Sequence, residues 1–193
     1  MAAAKTDDPA LNRPLQGAGR RPDLRFMLSH PAHVIALGFG SGLAPVAPGT
    51  AGTLLAWVVY AGLLPEMNDG LRAALLGLSL AVAWWACTVT ARHLAAADPS
   101  AIVIDEVVAF WLVLWLLLPA TWLWQAVAFV LFRVFDAAKP GPVAWADQLW
   151  KGRARGRPIG WAQGFGIVLD DLVAALGVLV VIAIWRFAVG TAT

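Results

Sequence analysis

The chain has 193 residues, 60 % of them hydrophobic and only 13 % charged, with eleven tryptophans; soluble globular domains are not composed this way. Fourteen Lys and Arg against twelve Asp and Glu leave a net charge of +2, which says little until its distribution is mapped; no nucleic-acid partner is expected. The composition is that of an integral membrane protein, and the expected fold is all-α: a polytopic transmembrane bundle of about five helices.

Residues 1–25 mix Pro, Gly, Ala and charges without apolar periodicity, so they read as a disordered tail ahead of one membrane-embedded domain, 26–193. They lack the continuous apolar core of a secretory signal peptide. His30 and His33, with His93 further on, show no ligand spacing and suit interface or packing roles better than metal binding. The stretch GFGSGLAPVAPGTAGT, Gly38 to Thr53, is an irregular loop whose glycines let backbone N–H groups approach an anion. The helix that follows adds donors and a favourable dipole. Gly40, Ser41, Gly49, Thr50 and Thr53 are its candidate phosphate contacts. No Gly-Lys-Ser/Thr closes the stretch, so it is not a P-loop, and small residues also suit a plain membrane-interface loop.

Five apolar segments follow, at about 51–64, 71–97, 101–118, 120–135 and 166–189, all expected to be helical. A bilayer core of ~30 Å needs ~20 helical residues; the second and fifth segments satisfy that, while the first and fourth are short. Pro65, Asn68, Asp69 and Gly70 mark one turn, and Pro119 another. Tryptophans flank the runs, as at Trp84, Trp85, Trp122, Trp124 and Trp185, in the manner of an interfacial belt. Cys87 lies inside an apolar run and reads as a packing residue.

Five crossings place the connections on alternate faces. Twelve of the fourteen Lys and Arg fall on the face that carries the amino terminus, which makes that face cytoplasmic. Ten of the twelve acids fall there too. Asp and Glu do not set orientation, so their segregation points to a site. Asp98 precedes the pair Asp105 and Glu106, and a carboxylate at the bilayer centre costs ~2.5–3.5 kcal/mol against ~0.3–0.6 recovered per Leu or Val. Such a pair belongs at the membrane edge, binding a cation or, on the simpler reading, capping a helix. FRVFDAAKPGP supplies Arg133 and Asp136, three apart on one helical face, and then Lys139, placed to hold a phosphate oxygen. Arg133 and Asp136 also read as a plain surface ion pair. KGRARGR, Lys151 to Arg157, suits anionic headgroups. GFGIVLDD brings Asp170 and Asp171 to the head of the last helix. Two acid pairs, a further aspartate and a lysine at one membrane edge suit Mg²⁺, which takes a few carboxylates plus phosphate and water.

At these four motifs, and over nearly everything after the tail, the sequence resembles the bacterial phosphatidylglycerophosphatase A family. The resemblance rests on the Gly38–Thr53 stretch, on Asp-x-x-x-Ile-Val-x-Asp-Glu from Asp98 to Glu106, on FRVFDAAKPGP and on GFGIVLDD. It implies Mg²⁺-dependent removal of the terminal phosphate from phosphatidylglycerophosphate, in the inner membrane, with the amino terminus and active site cytoplasmic. One departure is visible: where the family commonly has His-Gly-Gly ahead of the last acid pair, this chain has a longer basic stretch and Gln163.

The expected roles follow. Asp105, Glu106, Asp170 and Asp171 hold Mg²⁺, with Asp136 also catalytic and Asp98 and Arg133 in support; Lys139 and the glycine-rich loop hold the phosphate. Either a carboxylate activates water or it attacks phosphorus itself. The competing expectation from composition is a small transporter or ion pathway that relays cations through intramembrane acids, and a structural membrane subunit is a third.

Overall fold

The computed structural model describes residues 21–139, 141, 143 and 159–190. Tail residues 1–20 and the basic run Lys151 to Arg157 lie outside the described residues. Among those described, every regular element is helical.

Two short helices come first, ahead of the glycine-rich stretch, and the first of them overlaps the end of the 1–25 expected to be a disordered tail. Helix α1 (Leu24–Leu28) begins where the Asp23 carboxylate accepts a hydrogen bond from Phe26 N at 2.8 Å. Helix α2 (Pro31–Ala36) begins where His30 Nδ1 accepts from Ala32 N, with Pro31 in the first turn. Both starts follow ordinary N-terminal capping. The 3₁₀ segment Gly38–Leu43 then turns through left-handed backbone at Gly38, Phe39 and Gly40. It seats against residues 101–103: a Cβ on Gly42 would collide with the Ala101 carbonyl.

Five longer helices form the bundle: α3 (Pro48–Leu63), α4 (Asp69–Leu94), α5 (Ile104–Leu116), α6 (Trp122–Ala138) and α7 (Trp161–Val189). Asn68 and Thr121 cap α4 and α6 through their side-chain oxygens. By length and apolarity α4 and α7 are fit to cross a bilayer; α3, α5 and α6 are shorter than the ~20 residues a full crossing takes.

Helix α5 packs against α3, α4, α6 and α7, and an unbroken run from Ile104 to Phe110 is buried. Its all-round apolarity is therefore that of a core helix. Helices α4 and α7 pack against each other, and small residues on both (Ala83, Ala86, Cys87 and Ala91; Ala174 and Ala175) are fully enclosed, which lets backbones approach. Several indole N–H groups are spent on cross-links within the protein. Trp57 donates to Gln125 Oε1 at 2.8 Å, Trp111 to the Ala56 carbonyl at 2.9 Å and Trp115 to Asp69 Oδ1 at 3.1 Å.

Helix α7 starts well before the expected 166. Gln163 reaches back to accept from Gly160 N at 2.7 Å, closing the first turn. Helix α4 holds that turn from the side: Trp84 Nε1 donates to Trp161 O at 2.8 Å and Arg92 Nε to Ile159 O at 2.9 Å. Asp170 and Asp171 thus sit about 14 Å inside the helix at 1.5 Å per residue, in its third turn rather than at its head.

Candidate active site

Four helices and one loop meet at a cavity of about 260 Å³. Helix α5 brings Asp105 and Glu106 in its first turn. Helix α6 brings Arg133 and Asp136 near its end, with Lys139 as the residue that terminates it, in left-handed backbone at φ 43°. Helix α7 brings Asp170 and Asp171. Asp98 arrives on the loop before α5, and Pro48 and Gly49 at the start of α3. Six carboxylates face two cationic side chains there.

The two cations are spoken for. Arg133 Nη1 lies 3.1 Å from Glu106 Oε1 and Nη2 lies 3.1 Å from Asp136 Oδ2. The same Nη1 donates to Thr53 Oγ1 at 3.2 Å, and Thr53 in turn donates to Gly49 O at 2.9 Å. Arg133 is thereby a half-buried junction of α3, α5 and α6 rather than one half of a surface pair. Lys139 Nζ donates to Asp170 Oδ2 at 2.6 Å. Gly49 is required by proximity: a Cβ there would run into Glu106 Oε1 and crowd Arg133.

Three carboxylate oxygens are left over. Asp105 Oδ1, Glu106 Oε2 and Asp171 Oδ2 are buried and have no hydrogen-bond partner among the described residues. Glu106, Asp136 and Asp171 each place one carboxylate oxygen within 4.8 Å of the others. Carboxylates so close repel one another unless a positive charge joins them, and buried acceptors without donors are costly. The donor set is all oxygen, which fits a hard divalent cation such as Mg²⁺.

The expected residues divide accordingly. Asp98, Asp105, Glu106, Arg133, Asp136, Lys139, Asp170, Asp171 and Gly49 line the cavity. Asp136 joins Glu106 and Asp171, while Asp170, one residue and about 100° round the helix, faces Lys139. Gly40, Ser41, Thr50 and Thr53 do not line the cavity; Ser41 Oγ donates to Gly38 O at 2.9 Å and Thr53 buttresses Arg133. Gln163 closes the start of α7. The sequence reading did not single out Ser100, which also lines the cavity; its hydroxyl between Asp98 and the acid pair was the available signal.

The three histidines, scattered in sequence, pack together where α2 meets α4. His33 Nδ1 donates to the Phe26 carbonyl at 2.9 Å, which leaves Nε2 to accept from His93 Nδ1 at 2.7 Å. The His30 ring lies 5.4 Å from that of His33. Burial is the main cause that pushes His33 down to about 4, and the neighbouring histidines act in the same direction against the Phe26 carbonyl.

Comparison with known proteins agrees with the motif pattern. The family model described as Phosphatidylglycerophosphatase A matches residues 34–186. The chain is 35 % identical over 152 residues to the Phosphatidylglycerophosphatase A of Escherichia coli, covering 79 % of this chain and 81 % of that protein. It is 34 % identical over 164 residues to the protein of that name from Haemophilus influenzae, covering 84 % and 94 %. A Bacteroides thetaiotaomicron protein named, provisionally, a phosphatidylinositol-3-phosphatase is 37 % identical over 164 residues, covering 81 % and 94 %. No solved structure matches the chain. With the match running from α2 through most of α7 and taking in every carboxylate of the cavity, the chain belongs to the phosphatidylglycerophosphatase A family.

Proposed function

We propose that this protein hydrolyses the terminal phosphate monoester of phosphatidylglycerophosphate at the cytoplasmic face of the bacterial inner membrane, using Mg²⁺ and yielding phosphatidylglycerol and inorganic phosphate. The observation that carries the proposal is the convergence of three unpartnered buried carboxylate oxygens from α5 and α7 in one cavity. Glu106, Asp136 and Asp171 would hold the metal, with Asp105 beside them. Mg²⁺ supplies neutralising charge for the phosphoryl oxygens when bound.

The chain's own residues do the rest. Lys139, an ammonium with three donors, pairs with Asp170 and lines the cavity, where it would also take a phosphoryl oxygen. Arg133 holds Glu106 and Asp136 in position. Asp105 Oδ1, enclosed and without a donor, accepts the proton of the attacking water as its oxygen bonds to phosphorus. The bond from phosphorus to the glycerol oxygen then breaks, and that oxygen takes up the proton held by Asp105 and leaves as the alcohol. The cavity's position at one end of the bundle lets a lipid present its headgroup while its acyl chains remain in the bilayer.

The test is phosphate release from a panel of lipid phosphates by the purified full chain, with Mg²⁺ and with chelator. Turnover of phosphatidylglycerophosphate only with Mg²⁺ supports the proposal. Equal turnover in chelator removes the metal, and preference for another headgroup removes the substrate.

A further inference from the structure

A second cavity, of about 310 Å³, adjoins the carboxylate site and shares Ala47, Pro48, Pro99 and Ser100 with it as walls. Its character is opposite. Where the first carries six acids, the residues lining the second include a single charged side chain, Arg21. Arg21 Nη1 donates to the Pro45 carbonyl at 2.8 Å, which fixes the guanidinium at the rim. A guanidinium has five N–H donors, and among the described residues no carboxylate pairs with this one. The rest of the lining is largely apolar or backbone, from loop 42–48 and segment 94–101.

The surroundings are those of a lipid surface. Val46, between two lining residues, is 81 % exposed, Phe39 on the preceding turn 71 %, and Leu24 and Leu28 on α1 are exposed too. Large apolar side chains so exposed beside a cationic rim suit the zone where acyl chains give way to headgroups.

We propose that this second cavity is the subsite for the phosphodiester of the lipid substrate, with Arg21 as the residue that binds it. The inference rests on the phosphatase reading above. A phosphatidylglycerophosphate headgroup carries two phosphates separated by one glycerol: a monoester, which must enter the carboxylate cavity, and a diester nearer the acyl chains. The diester needs a cation outside the acidic cluster, on the lipid side and one short linker away. Arg21 lies outside the acidic cluster, in a cavity that shares four wall residues with it and is flanked by exposed apolar side chains, and a planar guanidinium suits two phosphate oxygens at once. Arg21 also lies ahead of the 34–186 matched by the family model, so the subsite draws on a part of the chain outside that match.

The experiment compares wild type with Arg21→Gln and Arg21→Lys, as full chains in mixed micelles. Substrates are phosphatidylglycerophosphate and phosphatidic acid of the same acyl composition, which has the monoester and no diester. Expected for Arg21→Gln is a KM for the two-phosphate lipid raised about tenfold or more, kcat within about threefold, kcat/KM on phosphatidic acid unchanged, and partial recovery with lysine. An equal loss on both lipids would make Arg21 a structural residue and overturn the proposal. A second arm measures binding of phosphatidylglycerol, which has the diester and no monoester, in Mg²⁺-free buffer. About tenfold weaker binding to Arg21→Gln supports the subsite, and unchanged binding overturns it. Should wild type fail to turn over phosphatidylglycerophosphate, the function fails and the binding arm alone decides the role of Arg21.

Discussion

Arg133 on α6 stands 3.1 Å from Glu106 on α5, and the same guanidinium is 3.1 Å from Asp136. Two of the three grouped carboxylates are therefore oriented by one side chain. Arg133→Met should lower kcat by about 100-fold, on the scale of losing one preorganised electrostatic contact. Arg133→Lys should recover little, because an ammonium does not reproduce the fork. Phosphate release measured on both variants checks this.

Asp171 and Asp105 face the opposite consequence for stability and activity. Asp171→Asn or Asp105→Asn should abolish turnover to at least about 1,000-fold below wild type, yet raise the metal-free melting temperature, because like charges are removed from a crowded cavity. Wild type should gain stability on adding Mg²⁺, by about 2.7 kcal/mol at a hundred times Kd, and Asp171→Asn should lose that gain. Thermal unfolding in detergent, with and without Mg²⁺, reads both effects. A metal-dependent shift surviving in Asp171→Asn would remove this residue from the metal set.

Gly49→Ala tests the approach of α3 to Glu106. The added methyl has to displace the Glu106 carboxylate or the Arg133 guanidinium, so activity should fall at least about tenfold while the helix gains propensity. Gly62 in the same helix has nothing within 4 Å of a built Cβ. Gly62→Ala should leave turnover unchanged and stabilise by about 0.5–1 kcal/mol.

His33 gives a pH dependence of known sign. Its folded pKa is pushed down to about 4, from an ordinary 6.5, so below pH 6.5 the unfolded chain binds more protons than the folded one. Stability is then complete above about 6.5 and declines as pH falls toward 4. His33→Gln should flatten that part of the curve, seen as melting temperature against pH from 7.5 to 5.

How much of this was legible in the sequence depends on range. The acid pairs were conspicuous because charge in apolar surroundings is expensive, and that reasoning located Asp105, Glu106, Asp170 and Asp171. The apolar runs marked the five long helices, with ends displaced by a few residues. Helices α1 and α2 escaped because each is too short to show periodicity; their signals were the caps, Asp23 and His30. The early start of α7 was hidden because its first turn is closed by Gln163, which looked like a departure from a substrate motif. The pairing of His33 with His93 joins residues 60 apart, and no local pattern records it. The glycine-rich stretch misled in part: its glycines serve close packing at Gly42 and Gly49, while Ser41 and Thr53 are turned to internal hydrogen bonds.

The mooring of the first turn of α7 by Trp84 and Arg92 governs which acid meets which neighbour. Rotating a helix by one residue swings a side chain through about 100°. A slip of that size bringing Asp171 to Lys139 would carry Asp170 to the place Leu169 now holds and leave no carboxylate of this helix beside Glu106. Two backbone carbonyls at the start of α7, held by α4, thus set the phase of the helix that carries Asp170 and Asp171.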